Sequence, residues 1–145
     1  MAWTTPKVNW AVTYDENGAY TGDYFSYVDF NRIRDNLEAL TELAEMLYVI
    51  ATTDSLPSTK TASGYPYADE INQFEKRLHE INNQTLRRTI GTQKTFVDKG
   101  AFIDATELNR IESATLSLHQ ILTEQAGGRK QLKFTLGFPA GSIKF

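Results

Sequence analysis

Cysteine is missing from this chain, and with it go disulfides, thiolate metal centres and thiol nucleophiles. Histidine occurs only at positions 79 and 119. Long hydrophobic runs are missing too: "MLYVIA" at 46–51 is far short of the ~20 apolar residues that cross a bilayer. The start, "MAWTTPKVNW", lacks a basic segment followed by an apolar one, so neither a leader nor a membrane anchor is expected. Acidic residues are absent from Gln125 to Phe145, where Arg129, Lys130, Lys133 and Lys144 stand. That basic tail suits an acidic partner surface. With 15 basic against 18 acidic residues and a net charge of −3 overall, nucleic acid is not expected as a partner.

What is present is an ordinary globular composition, 41% apolar and 23% charged over 145 residues, enough for one domain with a single core. Within it one short phrase is written twice. Residues 22–33 read "GDYFSYVDFNRI" and residues 100–111 read "GAFIDATELNRI", with a worn third copy, "SGYPYADEINQF", at 63–74. Gly22 and Gly100 open two copies, an aromatic follows in each (Tyr24, Tyr65, Phe102), and Asn31, Asn72 and Asn109 align. Arg32 and Arg110 come next, where the middle copy has Gln73.

Each copy carries a helix start. Ser26 with Asp29, and Asp104 with Glu107, have capping-box spacing, in which a side chain accepts a free backbone N–H and an acid faces the positive helix end. The middle copy has Tyr67 at the cap and Glu70 three residues on, with Pro66 suited to the first turn. Phe25 with Phe30, and Ile103 with Leu108, have the spacing of hydrophobic staples. Beyond the starts run three seams: Phe30, Ile33, Leu37, Leu40, Ala44, Leu47; then Ile71, Phe74, Leu78, Ile81; then Leu108, Ile111, Leu118, Leu122, interrupted by Thr115 and widened by Ala114 and Ile121. The expected fold is therefore mainly α, with helices near 27–52, 68–84 and 105–125, the last ended by Gly127-Gly128.

Around this body of 22–126, residues 1–21 read as an extended aromatic arm. Residues 127–145 read as a docking tail with a short β-hairpin, from the alternation of Leu132, Phe134 and Leu136 and the turn at Pro139 and Gly141. A second small hairpin is expected around Asp98-Lys99-Gly100. Asn is an odd choice beside a seam. Two readings stay open for it: it bonds backbone in the extended segment before its helix, or it contacts a neighbouring unit or subunit and fixes register.

The segments Gly22 to Leu40 and Phe96 to Glu112, and more weakly Gly64 to Glu75, resemble an element of tailed-bacteriophage and prophage structural proteins, chiefly tail, baseplate and fibre-associated chains. There, an aromatic and a glycine precede extended residues and a helix opening with Leu-Asn-x-Ile-Glu. The resemblance implies an architectural, non-enzymatic role in a virion assembled in the bacterial cytoplasm, with other virion proteins as partners.

The residues themselves offer little chemistry. His79 and His119 lack a ligand-spaced partner, Glu38, Glu42 and Glu45 fall on one wet helix face, and Asp69-Glu70 complements a helix dipole. No phosphate loop or nucleophile elbow appears, so no enzyme activity, cofactor or metal is expected. Arg87, Arg88 and Lys94 read as a helix C-terminal cluster, with phosphate contact as the rival reading. Trp3 and Trp10 read as a lid on the core or as anchors for a partner, and with Phe134, Phe138 and Phe145 they form the candidate interface. A first helix of ~26 residues would span about 39 Å, longer than a compact body covers, so a homo-oligomer, trimeric or otherwise cyclic, is expected. A cytosolic helical adaptor and a nucleic-acid-binding regulator are the rival functions.

Overall fold

The structure, a computed structural model, describes residues 3–53, 55–64, 66–97 and 105–137, with side chains as far as Gly128. Among the described residues it is built of three helices, α1 (Tyr27–Leu47), α2 (Ala68–Gln84) and α3 (Ala105–Gly137). The Ser26 N–H donates to the Asp29 carboxylate at 3.0 Å, and the Tyr67 N–H donates to Glu70 at 3.0 Å. The acid three residues into each helix thus closes the N-terminus whether the cap residue is Ser or Tyr. At the far end of α1, Tyr48 turns extended (φ −136°, ψ 158°) after its N–H reaches the Ala44 carbonyl.

The seams are the core. Phe30, Ile33, Leu37, Leu40, Ala44 and Leu47 of α1 bury against Ile71, Phe74, Leu78 and Ile81 of α2 and Leu108, Ile111, Ala114, Leu118 and Leu122 of α3. Each large side chain taken fully out of water contributes about 1.5–3 kcal/mol. Thr115, the interruption in the third seam, is buried and satisfies its hydroxyl on the Ile111 carbonyl at 2.8 Å, as Thr41 does on Leu37 at 2.7 Å.

Contacts between helices climb in step. The Phe30 ring meets Phe74 and, further along both helices, Arg77 meets Thr41. Arg32 meets Glu112 near the starts of α1 and α3, and Tyr48 meets Gln125 near their far ends. The three helices are therefore parallel. A single chain can make a parallel bundle only by returning to the starting end between helices, and it returns in extended form. We label the return segments strap B (50–60) and strap C (88–96), and the segment ahead of α1 strap A (3–10).

Four expectations change. α1 ends at Leu47 rather than near 52, because Tyr48 already turns extended and leads into strap B; it is thus too short to require a second subunit along its seam. α3 does not stop at Gly127-Gly128 but runs to Gly137, so the C-terminal β-hairpin is not supported: residues 129–137 are helical, and 138–145 lie outside the described residues. Two interior glycines cost a helix about 1 kcal/mol each relative to Ala, which weakens a long helix without ending it. The hairpin around Asp98-Lys99-Gly100 also lies outside the described residues. A hairpin that was not expected does form: Tyr14 bridges Tyr20 antiparallel, and the Thr21 N–H reaches the Thr13 carbonyl at 2.8 Å. Its turn holds Asn17-Gly18, with Gly18 at φ 84°, the dipeptide such turns favour.

Candidate functional site: amide clamps and buried ion pairs

The recurring Asn does one job three times. Asn31 accepts the Lys60 N–H (2.7 Å) and donates to the Lys60 carbonyl (2.9 Å). Asn72 does the same to Phe96 (2.7 and 2.8 Å), and Asn109 to Trp10 (2.7 and 3.0 Å). One carboxamide matches both polar groups of one extended residue, as a neighbouring β-strand would. Each Asn grips the strap leading into the next helix, and the Asn of α3 grips the strap leading into α1. The sequence of units thus closes on itself as a pseudo-three-fold ring.

Both open readings of Asn contain part of this: the partner is backbone, but it belongs to the neighbouring unit. Each strap has a second clamp. Asn36 holds Thr4 (2.9 and 2.7 Å), Gln84 holds Ala51 (2.8 and 2.7 Å) and Asn82 holds Arg88 (2.9 and 2.7 Å). The extended segments are therefore secured at both ends without a sheet.

Ion pairs cross the same junctions. Arg32 reaches from α1 to Glu112 of α3 through Nε and Nη2, both at 2.8 Å, while Nη1 pairs with Asp29 at 2.7 Å. Glu112, 2% exposed, also accepts the Lys7 N–H at 3.0 Å and the Trp10 indole N–H at 2.6 Å. One turn of the ring away, Arg110 reaches from α3 to Glu75 of α2 and pairs with its own Glu107. Burial pushes the Glu75 carboxyl above the usual carboxylate range despite Arg110. Its Oε2 has no hydrogen-bond partner, and neither has Nε2 of His79, 3.6 Å from it. Burial, and then Arg110, hold the His79 imidazole below its ordinary value. At the third junction the pair is missing on both sides: Gln73 stands where Arg32 and Arg110 stand, and Arg34 stands where Glu112 and Glu75 stand. Arg34 turns instead to Asp35, Glu38 and the Pro57 carbonyl.

The structure brings Asn31, Asn72, Asn109, Arg32, Arg110, Asp29 and Glu107 into these networks. Glu70 pairs with Lys60 at 2.8 Å. Gly22 lies where a β-carbon would meet the Ala11 carbonyl and the Tyr20 hydroxyl. Tyr24 is exposed and stacks edge-on to Tyr20 at 4.9 Å. Trp10, 6% exposed, belongs to this chain's own core, and Trp3 stacks on His119 at 3.6 Å. Both tryptophans are thus lids, and Trp10 is closed to a partner. Arg87 caps α2 by donating to the Asn83 carbonyl at 3.1 Å. Tyr65, Gly100, Phe102, Asp104, Phe138 and Phe145 lie outside the described residues, and Phe134 falls in α3 beyond the described side chains.

Glu75 and Glu112, which sequence reasoning missed, share one column three residues after the Asn. Asn36, Asn82 and Gln84 carried no such signal beyond an amide placed beside a seam. Compared with known proteins, the chain matches no family model, no curated protein and no solved structure.

Proposed function

We propose that this chain is a non-enzymatic structural component of a tailed-phage virion, working by docking and self-association in the tail, baseplate or fibre region. The observation that supports this reading is the closed ring of Asn clamps. The recurring Asn is one of the columns on which the resemblance to phage structural elements rests, and its side chains bind the chain's own backbone rather than facing a cleft. Such a ring is an architectural use of sequence. It stiffens a small body so that contacts made at its surface bear load without unfolding it.

The seams are occupied within the chain, so assembly falls to other surfaces. Val12, Tyr14 and Tyr24, exposed on and beside the hairpin, and Val28 at the start of α1 offer one. The end of α3 past Ala126, the last described α3 side chain packed on the core, offers another. The test is location: particles released from the bacterium carrying the gene are banded on a density gradient and examined by mass spectrometry. The chain is expected in the particle band at a fixed ratio to other virion proteins. Recovery in the soluble fraction alone would overturn the proposal in favour of a cytosolic adaptor.

A further inference from the structure

We propose that the cavity between strap C and α3 is a binding site for an oxyanion, the phosphate or carboxylate group of a small polar ligand. The cavity has a volume of about 310 Å³ and lies beside the Arg88 end of the strap, at the small end of the range for ligand pockets. Its walls are polar in a particular way: several of its groups lack the intramolecular partners that their counterparts elsewhere in the chain possess.

Arg88 is the first. Arg32, Arg34 and Arg110 all meet carboxylates, whereas the Arg88 side chain is exposed, meets none, and lines the cavity. Its main chain is fixed at both N–H and C=O by Asn82, so the guanidinium starts from an anchored point. Ser113 and Ser117 are the second. Thr41, Thr85 and Thr115 return their hydroxyls to the carbonyl four residues back, but the two serines make no such bond. Standing one turn apart on α3, they line the same cavity.

The third is the strap itself. Among the described residues, the backbone N–H and C=O groups of Thr89, Ile90 and Gly91 have no partner in the chain. Gly91 brings this strip close: its φ is 88°, and a β-carbon there would collide with Cδ of Arg110. Arg110 forms a floor whose charge is offset by Glu75 and Glu107. Arg88 is therefore the cation left for a ligand, set beside two hydroxyls and free backbone amides, which is a donor set for oxygen anions.

The test titrates the full-length protein, at low salt, with glycerol 3-phosphate and with glycerate, which carry similar polyol bodies and different oxyanions, while amide NMR shifts are followed. Saturable shifts at Thr89–Gly91 with Kd on the order of 1 mM are expected for at least one probe. The probe that binds identifies the source; binding by both identifies a general oxyanion site. Arg88→Gln should weaken binding about tenfold. Ser117→Trp, which fills the cavity, should remove it, with unchanged thermal melts for both variants. No saturable shift at these amides with either probe would overturn the proposal. So would binding that survives Ser117→Trp, which would mean a surface cation without a cavity, or binding indifferent to Arg88→Gln.

Discussion

Glu112 and Glu75 occupy the same column of the repeat and meet the same kind of partner, an arginine from the neighbouring unit, yet they are satisfied to different degrees. Both oxygens of Glu112 are saturated: Oε1 accepts from Lys7 N and Arg32 Nε, and Oε2 from the Trp10 indole and Arg32 Nη2. Glu75 is at least as buried, but its Oε2 has no donor. The difference lies in what fills the groove between helices. Each carboxylate receives a backbone N–H from its strap, Lys7 at Glu112 and Lys94 at Glu75, but strap A adds the Trp10 indole N–H to the first, whereas the second has His79 3.6 Å from its free oxygen. A repeated ion pair is therefore not a repeated energy. A buried pair stabilises only as far as its remaining lone pairs are met.

That contrast yields the largest predicted effect. Glu112→Gln puts an NH2 group against two donors whichever way the amide turns, and leaves Asp29 as the one carboxylate paired with Arg32. It should cost about 3–5 kcal/mol, the range for breaking a buried pair. Glu75→Gln has room for its NH2 at the donor-free position, where it can donate to His79 Nε2, and Arg110 keeps Glu107. Its effect should stay within about 1 kcal/mol of zero. Urea melts of the two variants decide the matter, and equal losses would show that the two sites are equivalent.

The clamps come next. Asn109→Asp keeps the shape and the acceptor but sets an oxygen against the Trp10 carbonyl in place of a donor. It should lose about 2–3 kcal/mol near neutral pH and recover part of that in acid, as the carboxyl protonates and can donate again. Asn31→Asp should behave alike at Lys60. If instead only one of the three clamps matters, the ring is a sequence relic rather than a mechanical unit.

A smaller effect separates the Glu75 site by pH. The His79 pKa is lowered in the fold, so the folded state favours neutral imidazole. The stability this contributes is present above the ordinary value of 6.5 and is lost as pH falls through the folded value. The Glu75 carboxyl is raised, so its contribution has the opposite sense, fully present below the ordinary 4.5 and lost as pH rises through the folded value. His79→Gln should therefore flatten the stability profile just below pH 6.5, and Glu75→Gln should flatten it just above pH 4.5.

How much of this was legible in the sequence follows from range. The seams and the starts of α1 and α2 rest on spacings of three to five residues, and they match. The parallel order of the helices rests on contacts such as Trp10 with Asn109, 99 residues apart, which no local pattern encodes. The Asn column announced that something polar was being met and left open whether the partner was backbone or a neighbouring unit; that it is the backbone of the neighbouring unit is visible only in the fold. Arg34 and Gln73 could be seen as departures from the repeat. That they are two halves of one missing pair is visible only once the ring is closed. Trp10 could be read as a lid or as a partner's anchor, because its burial is supplied by helices that come later in the chain.

The smallest predicted effect concerns the end where reading and structure part. Gly127 and Gly128 are exposed in α3, and a β-carbon on either would meet nothing within 4 Å. Replacing each with Ala should therefore recover the helix propensity that Gly forgoes, about 1 kcal/mol apiece. Little of that should reach global stability. Among the described side chains of α3, Ala126 is the last packed on the core, so the glycine pair beside it can loosen without opening the body. The expected result is a rise in helical circular dichroism with a melting temperature that barely moves. Gly91→Ala should do the reverse, lowering stability through its positive φ and its contact with Arg110. If the double Ala variant instead loses helix, the glycines mark a stop and α3 ends near 126; if its melting temperature rises by several degrees, the distal stretch is coupled to the bundle and belongs to the body.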